Sequence, residues 1–170
     1  MQYKNIKRQE GFTTEVRELI MVNKFTLYVD ADACPVKKEI MDSVKSFGVQ
    51  PVFVASYASF SPDRQSTWVF VDQEKEAADL YILNHAGPGD AVVTQDMGLA
   101  SLLACRGVSV LSDRGKEIAE RDIPEILNRR YLSRKSLATG RRIRGPKPFT
   151  EKDRKNFSVA LTNLLCRLDH

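Results

Sequence analysis

Five short apolar, β-prone runs, at residues 25–29, 51–55, 67–71, 91–94 and 108–111, punctuate the first two thirds of the chain. Each is strand-length and apolar nearly throughout, as in strands buried on both faces of a sheet. Helical spacing or turn residues separate them. Pro35 opens a helix with Val36, Ile40 and Val44 at i, i+4 and i+8, and Gly48 closes it. Residues 74–85 place Ala77, Ala78, Tyr81 and Ile82 inward, and residues 97–105 form a further helix ended by Gly107. This β–α alternation predicts an α/β fold of three layers: a mostly parallel five-stranded sheet covered by helices on both faces.

Beyond residue 111 the pattern turns helical. Asp122 is positioned to cap a helix running through Ile126, Leu127 and Arg130. Thr150 and Asp153 have capping-box spacing and open a terminal amphipathic helix over 150–168. At 170 residues the chain suits one domain with a real core. Residues 1–22 read as an extension, with a short helix from Thr14, ahead of a domain at 23–170.

Several function classes are excluded on composition. No apolar run approaches the roughly 20 residues that span a bilayer, and the charged N-terminus lacks the apolar stretch of a secretory signal. Cys34, Cys105 and Cys166 are odd in number and far apart, with neither a disulfide framework nor zinc spacing. A cytoplasmic protein with no membrane partner is expected. Charge is uneven: residues 129–155 carry eleven Lys or Arg against two acids, whereas the rest of the chain is net acidic. A cationic segment of this kind suits a phosphate backbone.

The acids fall at one recurring position. Asp30 and Asp32 end the first run two residues apart, so in extended backbone both point the same way. Asp72 follows the third run, and Glu76 and Asp79 share one face of the next helix. Asp96 follows the fourth run and Asp113 the fifth. In a parallel sheet these positions lie near the carboxyl edge, where ligands bind. Carboxylates gathered there repel unless a cation neutralises them. Oxygen ligands without clustered His or Cys select Mg²⁺ or Mn²⁺. The candidate ligands are Asp30, Asp32, Glu76, Asp79, Asp96 and Asp113; Asp72 reads as a helix cap, and Cys34 as a small buried residue.

The chain also resembles a known family. Val29-Asp30-Ala31-Asp32-Ala33-Cys34-Pro35-Val36, Glu76-Ala77-Ala78-Asp79, the stretch 89–100 around Thr94-Gln95-Asp96, and Arg141-Arg142-Ile143-Arg144-Gly145-Pro146-Lys147 carry the resemblance. Together they are similar to the bacterial YaiI/YqxD family over residues 25–168. That family looks like a branch of the PIN-like nuclease superfamily. The resemblance implies a PIN-like fold with catalytic acids at Asp30, Asp79 and Asp96 and a possible fourth at Asp113. Either Glu39 or Glu76 would stand for the superfamily's intervening glutamate.

The leading expectation is a metal-dependent nuclease acting on RNA. Asp30, Asp79 and Asp96 would be catalytic, and Arg141, Arg142, Arg144 and Lys147 would hold the backbone. A non-catalytic RNA-binding or interaction module on the same fold is one alternative. A haloacid-dehalogenase-like phosphatase, with Asp30 as nucleophile and Asp32 as acid/base, is the other.

Overall fold

The computed structural model describes residues 24–32, 34–56, 66–72, 76–139, 145 and 147–170. The expected extension at 1–22 and the arginines Arg141, Arg142 and Arg144 lie outside the described residues. Six strands form one sheet: β1 (Leu27–Asp30), β2 (Val52–Ser56), β3 (Thr67–Val71), β4 (Ala91–Val93), β5 (Ser109–Leu111) and β6 (Glu117–Ile118). Their order is β3-β2-β1-β4-β5-β6. The first five run parallel and β6 pairs antiparallel with β5. The sheet therefore has one strand more than the five expected. With only two residues, one charged, β6 carries no periodic signal; it forms because a tight turn returns the chain along β5.

Among the described residues, five α-helices accompany the sheet: α1 (Lys37–Val44), α2 (Ala77–His85), α3 (Met97–Ala104), α4 (Ile123–Ala138) and α5 (Glu151–Asp169). A 3₁₀ turn (Lys45–Phe47) extends α1 until Gly48, whose φ of 65° lies in the left-handed region that glycine enters without a Cβ penalty. The layers follow from alternation along β1. Leu27, Val29 and Ala31 pack with Val36 and Ile40 of the α1 region and with Phe157, Leu161, Leu164 and Leu165 of α5. Tyr28 faces the other way, among Ala78 and Ile82 of α2, Leu99 and Leu103 of α3, and Ile126 of α4. Each fully buried Leu, Ile or Phe contributes roughly 1.5–3 kcal/mol through removal from water. The result is helices on both faces of a mostly parallel sheet.

Two helix starts differ in detail from expectation. The second helix begins at Ala77, with Glu76 rather than Asp72 in the capping position. Asp122 precedes α4, but its carboxylate turns back to accept from the Ala119 N–H at 2.9 Å instead of capping the helix. The terminal capping box forms as read: Thr150 N–H donates to Asp153 at 2.8 Å, and Asp153 N–H donates to the Thr150 hydroxyl at 3.2 Å. Among the described residues no helix is long and apolar enough to cross a membrane.

Candidate active site

The sheet reverses its winding between β1 and β4, since β2 and β3 lie to one side and β5 and β6 to the other. A crevice opens outside the strand ends at such a reversal. Asp30 closes β1 there, and Thr94 and Asp96 follow β4. Alternation fixes the face. Asp30 follows Tyr28 by two residues, so its side chain leaves the sheet toward α2 and α3.

Hydrogen bonds hold three of the acids in place. The Thr94 hydroxyl, on a residue 1% exposed, donates to Oδ2 of Asp30 at 2.8 Å. Oδ1 of Asp96 accepts from the N–H groups of Gly98 and Leu99 at 2.6 and 2.9 Å, capping α3. This commits one oxygen of Asp96 to the helix and leaves Oδ2 for another partner. Asp32 is fixed through Oδ1, which accepts from the Ser56 N–H at 2.8 Å and its hydroxyl at 3.0 Å. Asp79 stands in the first turn of α2, facing the same crevice.

The charges of these groups act on one another. Burial raises the pKa of Asp79 to about 6, helped by the negative charges of Asp30, Asp96, Glu76 and Asp32. Asp30 is raised as well, first by burial and then by Asp32 and Asp96, while the Thr94 hydrogen bond opposes the shift. Glu76 adds an unusual backbone: its φ of 71° makes it the one non-glycine residue with positive φ among the described residues. A bulky residue adopts that conformation at a cost of order 1–3 kcal/mol, and such strain concentrates at functional sites.

Asp113 follows β5. It is 9% exposed, its pKa is raised by burial, and its strongest charged neighbours are Arg114 and Asp153 at the head of α5. Cys34 feels the charges of both Asp30 and Asp113; it is half-buried against the core rather than fully inside it, and burial pushes its thiol up to about 11. Glu39 is tied elsewhere, accepting from Nη1 of Arg154 at 3.0 Å on the α5 side. Arg114 is engaged in structure, bridging Asp153 at 3.0 Å and donating to the Lys147 carbonyl at 2.6 Å. Lys147 itself is exposed.

The donor set suits a hard cation. Asp30, Asp32, Asp79 and Asp96 offer only oxygen, and their mutual repulsion is what a divalent ion relieves. Among the described residues no three His, Cys, Asp or Glu side chains are grouped at the spacing that encloses a metal ion. The arrangement therefore fits a largely hydrated Mg²⁺ or Mn²⁺ held by one or two carboxylates, the mode Mg²⁺ adopts when waters and substrate phosphates complete its shell. Sequence reasoning reached the acids but missed Ser56 as the anchor of Asp32. It also missed Arg130, which comes over the site from α4; neither residue carries a spacing signal.

A family model described as "Uncharacterized BCR, YaiI/YqxD family" matches residues 28–167. A UPF0178 protein of Bacillus cytotoxicus is 46% identical over 145 residues, covering 85% of this chain and 95% of that protein. A second, from Bacillus velezensis, is 47% identical over 142 residues, covering 82% and 84%. A third, from Listeria monocytogenes, is 42% identical over 140 residues, covering 82% and 94%. With a matched family model across most of its length and relatives this similar, the chain belongs to the YaiI/YqxD (UPF0178) family.

Proposed function

We propose that this protein is a Mg²⁺- or Mn²⁺-dependent phosphodiesterase that cleaves RNA. The observation that carries the reading is that Asp79 is raised first by burial and then by the charges of Asp30, Asp96, Glu76 and Asp32, so that these acids stand within electrostatic reach of one crevice-side carboxylate. Four acids repelling one another in a crevice cost stability and gain their reason when a cation arrives. The PIN-like resemblance of the motifs and the basic segment at 129–155 support the same reading.

One or two of Asp30, Asp79 and Asp96 would hold the ion directly and the rest through its waters, with Asp32 beside them. When bound, it would neutralise the phosphate and make water a stronger acid. The chain's own residues have distinct parts. Thr94 and the α3 amides fix Asp30 and Asp96 before substrate arrives. Asp79, raised to about 6 by burial and its acidic neighbours, would offer its carboxylate to the ion once pH passes that value and give it up to a proton below it. Arg141, Arg142, Arg144 and Lys147 would hold the RNA backbone as cations.

The test is incubation of the pure protein with mixed-sequence RNA and Mn²⁺, beside the Asp30→Asn and Asp96→Asn double variant. Divalent-dependent cleavage lost in the double variant is the expected result. Cleavage equal in both preparations would sink the reading. Binding without cleavage under any divalent ion would favour the non-catalytic module. Hydrolysis of a chromogenic phosphate monoester, lost in Asp30→Asn, would favour the phosphatase.

A further inference from the structure

Gly98 is the third residue after Thr94-Gln95 and the second residue of α3, beside the Asp96 cap. A methyl group built on Gly98 would collide with Nη1 of Arg130, while lying 3.0 Å from Cζ of Arg130 and 2.9 Å from Oδ1 of Asp96. The Arg130 guanidinium and the Asp96 carboxylate thus face each other across the width of one missing side chain. Arg130 reaches this place from α4, where Ile126 is the one buried residue among those described. Among the described residues Arg130 makes no salt bridge, whereas its neighbour Arg129 pairs with Glu125 at 2.7 Å.

The same side of α4 continues the pattern. Leu127, Arg130, Tyr131 and Arg134 occur at i, i+3, i+4 and i+7, one face of a helix. Tyr131 is 62% exposed and Leu127 is 54% exposed, so the helix displays an open aromatic ring between two cationic side chains. Aromatic rings set among cations form the stacking platforms that hold unpaired bases, whereas a duplex keeps its base faces covered. An arginine beside carboxylates is also the group that grips a phosphate brought to them in two parallel hydrogen bonds.

We propose that α4 holds a single-stranded nucleic acid: Arg130 grips the phosphate presented to the acids, and Tyr131 with Arg134 holds the adjoining nucleotide. This rests on the nuclease reading for the cleavage step, but the binding step stands independently. Gly98 is the space that lets Arg130 reach the acids. Charge selects the occupant, because the guanidinium of Arg130 and the side chain of Arg134 offer cations to a strand of phosphates and have no partner carboxylate at salt-bridge distance among the described residues.

The experiment measures binding of a short fluorescein-labelled single-stranded RNA without divalent ions, across a salt series, together with single-turnover cleavage in Mn²⁺. Duplex RNA and single-stranded DNA of the same length serve as competitors. Single-stranded RNA is expected to bind more tightly than duplex. Arg130→Ala should lower affinity with a salt slope shallower by about 0.7, and cut the cleavage rate by about tenfold or more. Arg130→Lys should restore the slope but only part of the rate. Gly98→Ala keeps every charge and favours helix, yet should weaken cleavage by pushing the guanidinium away. Tyr131→Ala should weaken single-strand binding about tenfold.

Wild-type affinity, slope and rate in Arg130→Ala would overturn the proposal, as would duplex preferred over single strand. If the wild type cleaves nothing, the nuclease reading fails while the binding series still decides on α4. Reduced single-strand affinity in Arg130→Ala and Tyr131→Ala would then uphold it, and unchanged affinity would overturn it.

Discussion

The side chain of Thr94 joins two strand ends: its hydroxyl donates to Asp30 at 2.8 Å, and the same oxygen accepts the backbone N–H of Asp96 at 3.0 Å. One buried oxygen thus sets the orientation of an acid on β1 and the position of an acid at the head of α3. Valine has the same shape without the hydroxyl. Thr94→Val should destabilise the protein by about 1–2 kcal/mol, because a part-buried carboxylate loses a donor and the part-buried Asp96 amide loses its acceptor. Urea unfolding checks this. Thr94→Ser should recover most of the loss, and Mn²⁺ affinity should follow the same order.

Asp96 has two tasks that substitution can separate. Asparagine caps helices as well as aspartate does, whereas alanine does not, at a cost of about 0.5–2 kcal/mol. Asp96→Asn should therefore unfold near the wild-type midpoint but lose divalent-dependent cleavage. Asp96→Ala should lose both stability and activity. Parallel unfolding and cleavage assays distinguish the two.

Asp79 links the site to pH. Its pKa rises from the usual 3.8 to about 6 on folding, first through burial and then through its acidic neighbours. The folded chain therefore keeps this proton where the unfolded chain has lost it. The contribution of Asp79 to stability is complete below about pH 4, declines as pH rises to about 6, and stays lost above that. Taken at face value the shift amounts to roughly 3 kcal/mol, and solvent screening of a part-exposed carboxylate reduces it to about 1–2 kcal/mol. Asp79→Asn should accordingly be more stable than wild type by that amount at pH 8 without metal, and little different at pH 4. Saturating Mn²⁺ should reverse the order at pH 8, since the ion stabilises only a chain that binds it. Thermal unfolding with and without Mn²⁺ is the measurement.

Glu39 and Glu76 both qualified in sequence as a further acid of the site. Glu39 bridges Arg154 of α5, and its buried Oε2 has no hydrogen-bond partner among the described residues. It belongs to the contact between α1 and α5. Arg154→Met should destabilise the protein by about 2–3 kcal/mol by leaving that carboxylate unpaired, with Mn²⁺ affinity unchanged. Glu76→Gln should do the opposite, leaving stability nearly unaltered and lowering the pKa of Asp79.

The five parallel strands were legible because each is a continuous apolar run between turn residues, and buried strands permit little else at those positions. The recurrence of Asp after strands pointed to the carboxyl edge of the sheet, where Asp30, Asp32, Asp79 and Asp96 come within electrostatic reach of one another. What the sequence hid were interactions between distant segments. Nothing in Val52-Phe53-Val54-Ala55-Ser56 marks Ser56 as the partner of Asp32, because that bond depends on the register between β1 and β2. Asp113 shared the topological signature of the other acids, yet it answers mainly to Arg114 and Asp153. A count along the chain gives position past a strand but not the company a side chain keeps. Arg130 was concealed for a further reason: within a run of basic residues, only the absence of a side chain at Gly98 singles it out.

If Asp30, Asp79 and Asp96 share a divalent cation at the ends of β1 and β4, that cation competes with the proton on Asp79. Calorimetric titration of Mn²⁺ into the wild type and into Asp30→Asn, repeated from pH 5 to pH 8 (roughly the range across which Asp79 loses its proton), tests it most directly. Saturable binding to the wild type that strengthens as pH passes about 6 is expected, with little or none to Asp30→Asn. Equal heats from both proteins, or binding indifferent to pH, would contradict it.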